Sequence, residues 1–170
     1  KKTAHFGQIM QLVHEKHSEL KLEMRKYKGR IVFRGDNVKD ESGFYAVFSE
    51  QGTGASQMAA TKFIDAIARA PGCDGEDSDA IAAYTQIPLS EASRLLGLDV
   101  VPTTWISLPK DRWPKTGPLA AKWKSIADRV CPLFTNLYGH PLAGLLWEKG
   151  CQEKILSVGF EKIPGWECLY

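Results

Sequence analysis

Asp79 and Tyr84 are the residues whose types and spacing most directly suggest chemistry. A carboxylate at the end of a strand suits a hard divalent cation such as Mg²⁺, which takes oxygen ligands in near-octahedral geometry. An aromatic ring five residues further on can pack beneath a sugar and shut out a 2′-hydroxyl. Lys28 and Arg30 add positive charge two residues apart. Taken together these types fit metal-assisted chemistry on a nucleotide. Each also has a plainer reading. Asp79 and Tyr84 fit an acidic loop entering a helix with the tyrosine in its core, and Lys28 and Arg30 fit a basic surface strand.

The elements that must position these residues follow from local signals. Residues 8–19 read as a short helix, which would put His14 and His17 on one solvated face. Arg30-Ile31-Val32-Phe33 is β-branched and aromatic and reads as a strand, stopped by Gly35-Asp36-Asn37. Residues 44–48 make a second short strand candidate, and Gly52 to Gly54 break the chain. Residues 55–70 give the clearest helix, with Phe63, Ala66, Ile67 and Ala70 as a stripe expected to be buried. Pro71-Gly72 ends it, and the acidic stretch to Asp79 follows. Residues 90–96 suggest a short helix with Ser90 as N-cap and Gly97 as stop. Residues 104–108 read as a strand, 109–118 as a Pro- and Lys-rich loop, and 119–127 as helical. Residues 130–134 read as a strand that Pro132 confines to an edge. From Pro141 a helix is expected to about residue 157, with Trp147, Cys151, Ile155 and Val158 on one face.

Composition bounds the class. With 170 residues, 44% hydrophobic and 25% charged, the chain can bury a core, so one folded domain or a large piece of one is expected. A net charge of +2 is too small to signal nucleic acid by itself. Its distribution says more: Lys21, Arg25, Lys26, Lys28, Arg30 and Arg34 cluster, while Asp74, Glu76, Asp77 and Asp79 gather elsewhere. Cys73, Cys131, Cys151 and Cys168 form no C-x-x-C pair, which speaks against zinc and for free thiols in an intracellular setting, cytoplasmic or nuclear. No apolar run of membrane length or signal peptide is visible. The absence of an initiator methionine before Lys1-Lys2 suggests an excised segment.

Several motifs in fixed order resemble the reverse transcriptase of copia-type LTR retrotransposons. Lys28 with Arg30-Ile31-Val32-x-Arg34-Gly35 resembles that family's fingers segment. Asp79-Ala80-Ile81-Ala82-Ala83-Tyr84 resembles its first acidic island. Thr104 to Pro109 resembles a strand between the islands that ends in proline. Leu137-Tyr138-Gly139, with Trp147 after seven more residues, matches Leu-Tyr-Gly-x₇-Trp. Gly159-Phe160 and Glu167-Cys168-Leu169-Tyr170 resemble the segment that follows.

The resemblance covers residues 28–170 and leaves 1–27 as an N-terminal extension. It implies an α+β fold, the fingers and partial palm of a polymerase, with a small antiparallel sheet packed by helices. It also implies roles: Asp79 as catalytic, metal-binding carboxylate, the Ala80 carbonyl as a further ligand, Tyr84 as steric gate, and Lys28 and Arg30 on the triphosphate. The cofactor would be Mg²⁺ (or Mn²⁺). The partners would be an RNA or DNA template with primer, deoxynucleoside triphosphates and other modules of a polyprotein, with no membrane. The family's second acidic island, tyrosine-x-aspartate-aspartate, is expected beyond Tyr170, so these residues alone should be inactive.

Two positions depart from the pattern. Leu142 stands where the family usually has a glutamine beside the nucleotide, and Leu145 where a basic residue is usual. Residues 95–101 read as an apolar insertion. A non-catalytic nucleic-acid-binding remnant and a structural or interaction domain therefore remain as alternatives.

Overall fold

The computed structural model describes residues 3–48, 56 and 58–170. It is α+β, built on a four-stranded sheet in the order β2-β1-β3-β4. The strands are β1 (Ala4–Lys16), β2 (Lys26–Phe33), β3 (Thr103–Ser107) and β4 (Val130–Pro132). The helices are α1 (Met58–Ala68), α2 (Ala92–Leu96), α3 (Gly117–Ser125) and α4 (Ala143–Ser157). No helix among the described residues is long and apolar enough to cross a membrane.

β1 organises the sheet. Its residues 4–8 pair in parallel with β3, and its residues 9–16 pair antiparallel with β2. β3 pairs antiparallel with β4 at the far edge. The sheet is therefore mixed, where the sequence led us to expect an antiparallel one. A parallel pair needs a long connection; here β2 runs back along β1, and the chain from β2 to β3, carrying α1 and α2, completes it.

The helix expected over residues 8–19 is not formed, because that stretch is most of β1. Gly7, Ile9 and Val13 favour helix weakly, and two neighbouring strands take up the backbone groups of the segment, so pairing decides. A side chain at Gly7 would fall inside the Phe33 ring, which fixes how closely β1 and β2 approach. His14 and His17 consequently share no helical face. His14 pairs across to Lys28, and His17 occupies the turn at φ 61°. The stretch assigned to an N-terminal extension thus contains the strand at the middle of the sheet.

α1 forms where periodicity placed a helix, but the stripe is not buried. Phe63 is 60% and Ile67 47% exposed, and Ala60 is the helix's buried residue. The strand expected over residues 44–48 reduces to a single bridge between Lys39 and Tyr45. The break at Gly52 to Gly54 lies outside the described residues. Ser90 is not an N-cap: it sits inside a 3₁₀ turn (Leu89–Glu91), and Glu91 takes the N-cap position of α2. Gly97, at φ 65°, ends α2 as expected. β4 lies at the sheet edge, where Pro132 removes no needed ladder bond.

Two apolar clusters hold these elements. Phe33, Val38 and Ile106 form one beside the sheet, joined by Ile9, Leu108, Cys131 and Leu137. Ile87, Ala92, Leu142 and Leu146 form the other, joined by Leu95, Leu96, Val101 and Trp147. Phe48 packs against both. The apolar insertion at residues 95–101 is thus α2 and its exit, packed on α4. α4 buries Ala143, Leu145, Leu146 and Gly150; of the face expected from Trp147, Cys151, Ile155 and Val158, Trp147 packs against the second cluster, Cys151 and Ile155 are half-buried, and Val158 is 74% exposed.

Candidate nucleotide and nucleic-acid interface

Three segments far apart in sequence meet around one aromatic ring. β2 carries Lys28 and Arg30 two residues apart, so they share a face. Across the pair, Lys28 stands opposite His14, Arg30 opposite Leu12 and Lys26 opposite Lys16. Directly opposed residues of an antiparallel pair lie on the same side. Lys16, Lys26, Lys28, Arg30 and His14 therefore make one basic face of a two-stranded ribbon that runs beyond the reach of β3.

Arg30 leaves that face at its inner end. Its guanidinium carbon lies 5.9 Å from the centroid of the Tyr138 ring. The Tyr138 ring lies 4.7 Å from that of Tyr84, tilted by 53°. β2, the Leu-Tyr-Gly turn and the segment after Asp79 are thereby in contact through side chains that favour cation–π and aromatic packing. Arg30 is exposed and both tyrosines are half-buried, so the cluster is open to a ligand.

The turn is held against β2 by backbone. Phe33 N–H donates to the Tyr138 carbonyl at 2.7 Å, and His140 N–H to the Leu137 carbonyl at 3.0 Å. Gly139 has φ +84°, and a side chain there would collide with the Phe33 carbonyl oxygen. A side chain at Gly35 would collide in turn with the Gly139 carbonyl oxygen. The glycines of two motifs more than a hundred positions apart in sequence are thus needed for the same close approach.

Asp79 and Ala80 are exposed and lie outside regular secondary structure, not at the strand end that the spacing suggested. The next residues turn sharply. Ala82 takes a left-handed conformation at φ 51°, entering the 3₁₀ turn (Ala83–Gln86) that carries Tyr84. The Thr85 hydroxyl donates to the Ala82 carbonyl at 2.8 Å, and the Gln86 amide to the Ile81 carbonyl at 2.8 Å. These bonds stabilise a strained residue between the carboxylate and the ring.

A Mg²⁺ site needs several converging oxygens. Among the described residues no group of three or more His, Cys, Asp or Glu side chains converges. Asp79 is therefore not joined by two further such side chains among the described residues.

Leu142 and Leu145 are both buried, at 7% and 8% exposure, and Leu142 belongs to the cluster around α4. Their apolar character matches that burial. Leu142→Gln should cost about 2 kcal/mol, because an amide would be buried without an assigned partner. Urea unfolding of the variant checks this, and an unchanged midpoint would mean that the position opens readily to solvent.

Sequence reasoning missed the polar residues that frame the turn. Asn136, fully buried, donates from its amide to the Ala143 carbonyl at 3.4 Å and accepts from Leu137 N–H at 3.0 Å. Buried His140 lies 3.1 Å from the Thr104 hydroxyl and accepts from Leu142 N–H at 3.2 Å. The available signal was a histidine and an asparagine flanking an otherwise apolar run. Two cavities, of about 270 and 680 Å³, are lined by none of Lys28, Arg30, Asp79 and Tyr84. Comparison with protein-family models, with curated proteins and with solved structures gives no significant match.

Proposed function

We propose that this chain is the fingers and part of the palm of a copia-type reverse transcriptase, an RNA-directed DNA polymerase of a retrotransposon polyprotein. What supports the reading is the contact of Arg30, Tyr138 and Tyr84, because it joins three segments that the resemblance assigns to one nucleotide site. Lys28 and Arg30 would meet phosphate, the tyrosines would meet base and sugar, and Asp79 with the Ala80 carbonyl would face the metal side. Nucleotidyl transfer in this family draws on two acidic islands around Mg²⁺ or Mn²⁺. These residues hold one island.

The test is titration of a labelled primer–template at several salt concentrations. With three or four phosphates met by the basic ribbon, the slope of log affinity against log salt should be near −3. Changing Lys28 and Arg30 together to alanine should shrink the slope by about 2. Tyr138→Ala should weaken binding roughly tenfold, since stacking on an aromatic ring contributes about 1–3 kcal/mol per base. A flat salt response would overturn the reading and leave a structural or interaction domain. Primer extension by these residues alone is not expected, and robust extension would mean that Asp77 or Glu76 completes a metal site.

Burial of Leu142 and Leu145 favours a second reading, nucleic-acid binding without catalysis. Adding Mg²⁺ with a deoxynucleoside triphosphate separates the two. Tightening of the primer–template complex supports the polymerase, and no change supports the non-catalytic binder.

A further inference from the structure

The cavity of about 270 Å³ is a built site that the polymerase reading leaves unused. Its walls come from β1 (His5), β3 (Thr104), the turn before α4 (His140) and the segment leaving α2 (Leu98, Val101), with Phe48 beside them. Among the described residues no Lys, Arg, Asp or Glu lines it.

Its polar groups are few and their hydrogen-bond states are fixed. Leu142 N–H donates to His140 Nδ1 at 3.2 Å, so the ring proton sits on Nε2 and is donated to the Thr104 hydroxyl oxygen at 3.1 Å. That leaves the Thr104 hydroxyl proton without an acceptor among the described residues. His5 is half-buried, edge-on to Phe48 at 5.0 Å between ring centroids, and its nitrogens have no hydrogen-bond partner among the described residues. Burial lowers the pKa of both imidazoles, so both rings are neutral at neutral pH.

We propose that this cavity binds a small uncharged molecule with an apolar body and a single hydroxyl or phenol head. Leu98, Val101 and Phe48 reward an apolar body. The Thr104 proton and the His5 ring offer one donor and one group of either sense, which a hydroxyl answers with its oxygen and its hydrogen. A charged head would meet no counter-charge among the described lining residues. The volume falls below the roughly 300–1,000 Å³ of sites for drug-sized ligands, so a nucleoside triphosphate does not fit.

The experiment is a nuclear magnetic resonance titration of the whole chain with p-cresol, toluene and p-toluate at neutral pH. p-Cresol should shift the Val101, Thr104 and His140 amides saturably. Toluene, which lacks the head, should bind about thirtyfold more weakly, the worth of two net hydrogen bonds. p-Toluate should not bind. Leu98→Trp should fill the cavity and weaken p-cresol at least tenfold, with Val101→Phe as the substitute if that variant does not fold. His5→Phe should cut the p-cresol to toluene ratio to about fivefold, what the Thr104 bond alone supplies. Absence of saturable shifts with p-cresol, unchanged affinity in a folded cavity-filling variant, or equal binding of p-toluate would each overturn the proposal. None of these outcomes depends on primer–template binding.

Discussion

Gly139→Ala should destabilise the fold by about 3 kcal/mol and disrupt the aromatic cluster at the same time. Two costs combine. Gly139 sits at φ +84°, and a Cβ in the left-handed region costs roughly 1–2 kcal/mol. The same Cβ would run into the Phe33 carbonyl oxygen, a backbone atom that cannot rotate away. Forcing extra volume into a packed site typically costs 1–3 kcal/mol. Relief requires the turn to withdraw from β2, which loses the Phe33 N–H to Tyr138 carbonyl bond and moves the ring that links Arg30 to Tyr84.

Gly159 supplies the control. It has a comparable φ of +99° but open space where a Cβ would stand. Gly159→Ala should therefore cost only the backbone part, about 1 kcal/mol. Urea unfolding of both variants measures the difference, read as a lower midpoint at unchanged slope. Equal losses would mean that the turn is not pressed against β2 as described. If Gly139→Ala lowers stability but leaves primer–template affinity unchanged, the turn is structural and the site lies elsewhere.

The same residues mark how far the sequence could be read. β3, β4, α2 and α4 were legible because β-branched and aromatic runs, or apolar residues at helical spacing, end at Gly or Pro. β1 was not, since its backbone partners come from residues 26–33 and 103–107, which no local window contains. Periodicity also placed α1 while saying nothing of what covers its stripe, and Phe63 and Ile67 stay exposed. At the candidate site, the shared face of Lys28 and Arg30 follows from the two-residue period of a strand. The link through Tyr138 depends on where the turn docks against β2, and the pairing of His140 with Thr104 depends on the same docking. Motif order suggested that these segments belong together, but their contacts arise from the close approach of Gly35 and Gly139.

Acidification should expose the buried imidazole of His140 as a source of pH-dependent stability. Burial, with a smaller contribution from His5 nearby, lowers its pKa from the ordinary 6.5 to about 4. The folded state therefore favours the neutral ring, whose Nδ1 must stay unprotonated to accept Leu142 N–H. The unfolded chain takes up a proton near pH 6.5, and the folded chain does so only near pH 4. The stabilisation is thus complete above pH 6.5 and falls as pH drops toward 4, where both states are protonated. Two and a half pH units at about 1.4 kcal/mol each make the loss on the order of 3 kcal/mol. His5 is shifted in the same direction by burial, opposed by Asp40, and adds to the fall. The measurement is the free energy of urea unfolding across that pH window for the wild type and for His140→Gln. The variant starts less stable because Thr104 and Leu142 N–H lose their partner, so the slope with pH carries the information, not the absolute value. The wild type should lose stability steeply as pH falls and the variant much less. Parallel profiles would show that His140 exchanges protons freely in the folded state, and that the turn before α4 opens to solvent far more readily than its hydrogen bonds imply.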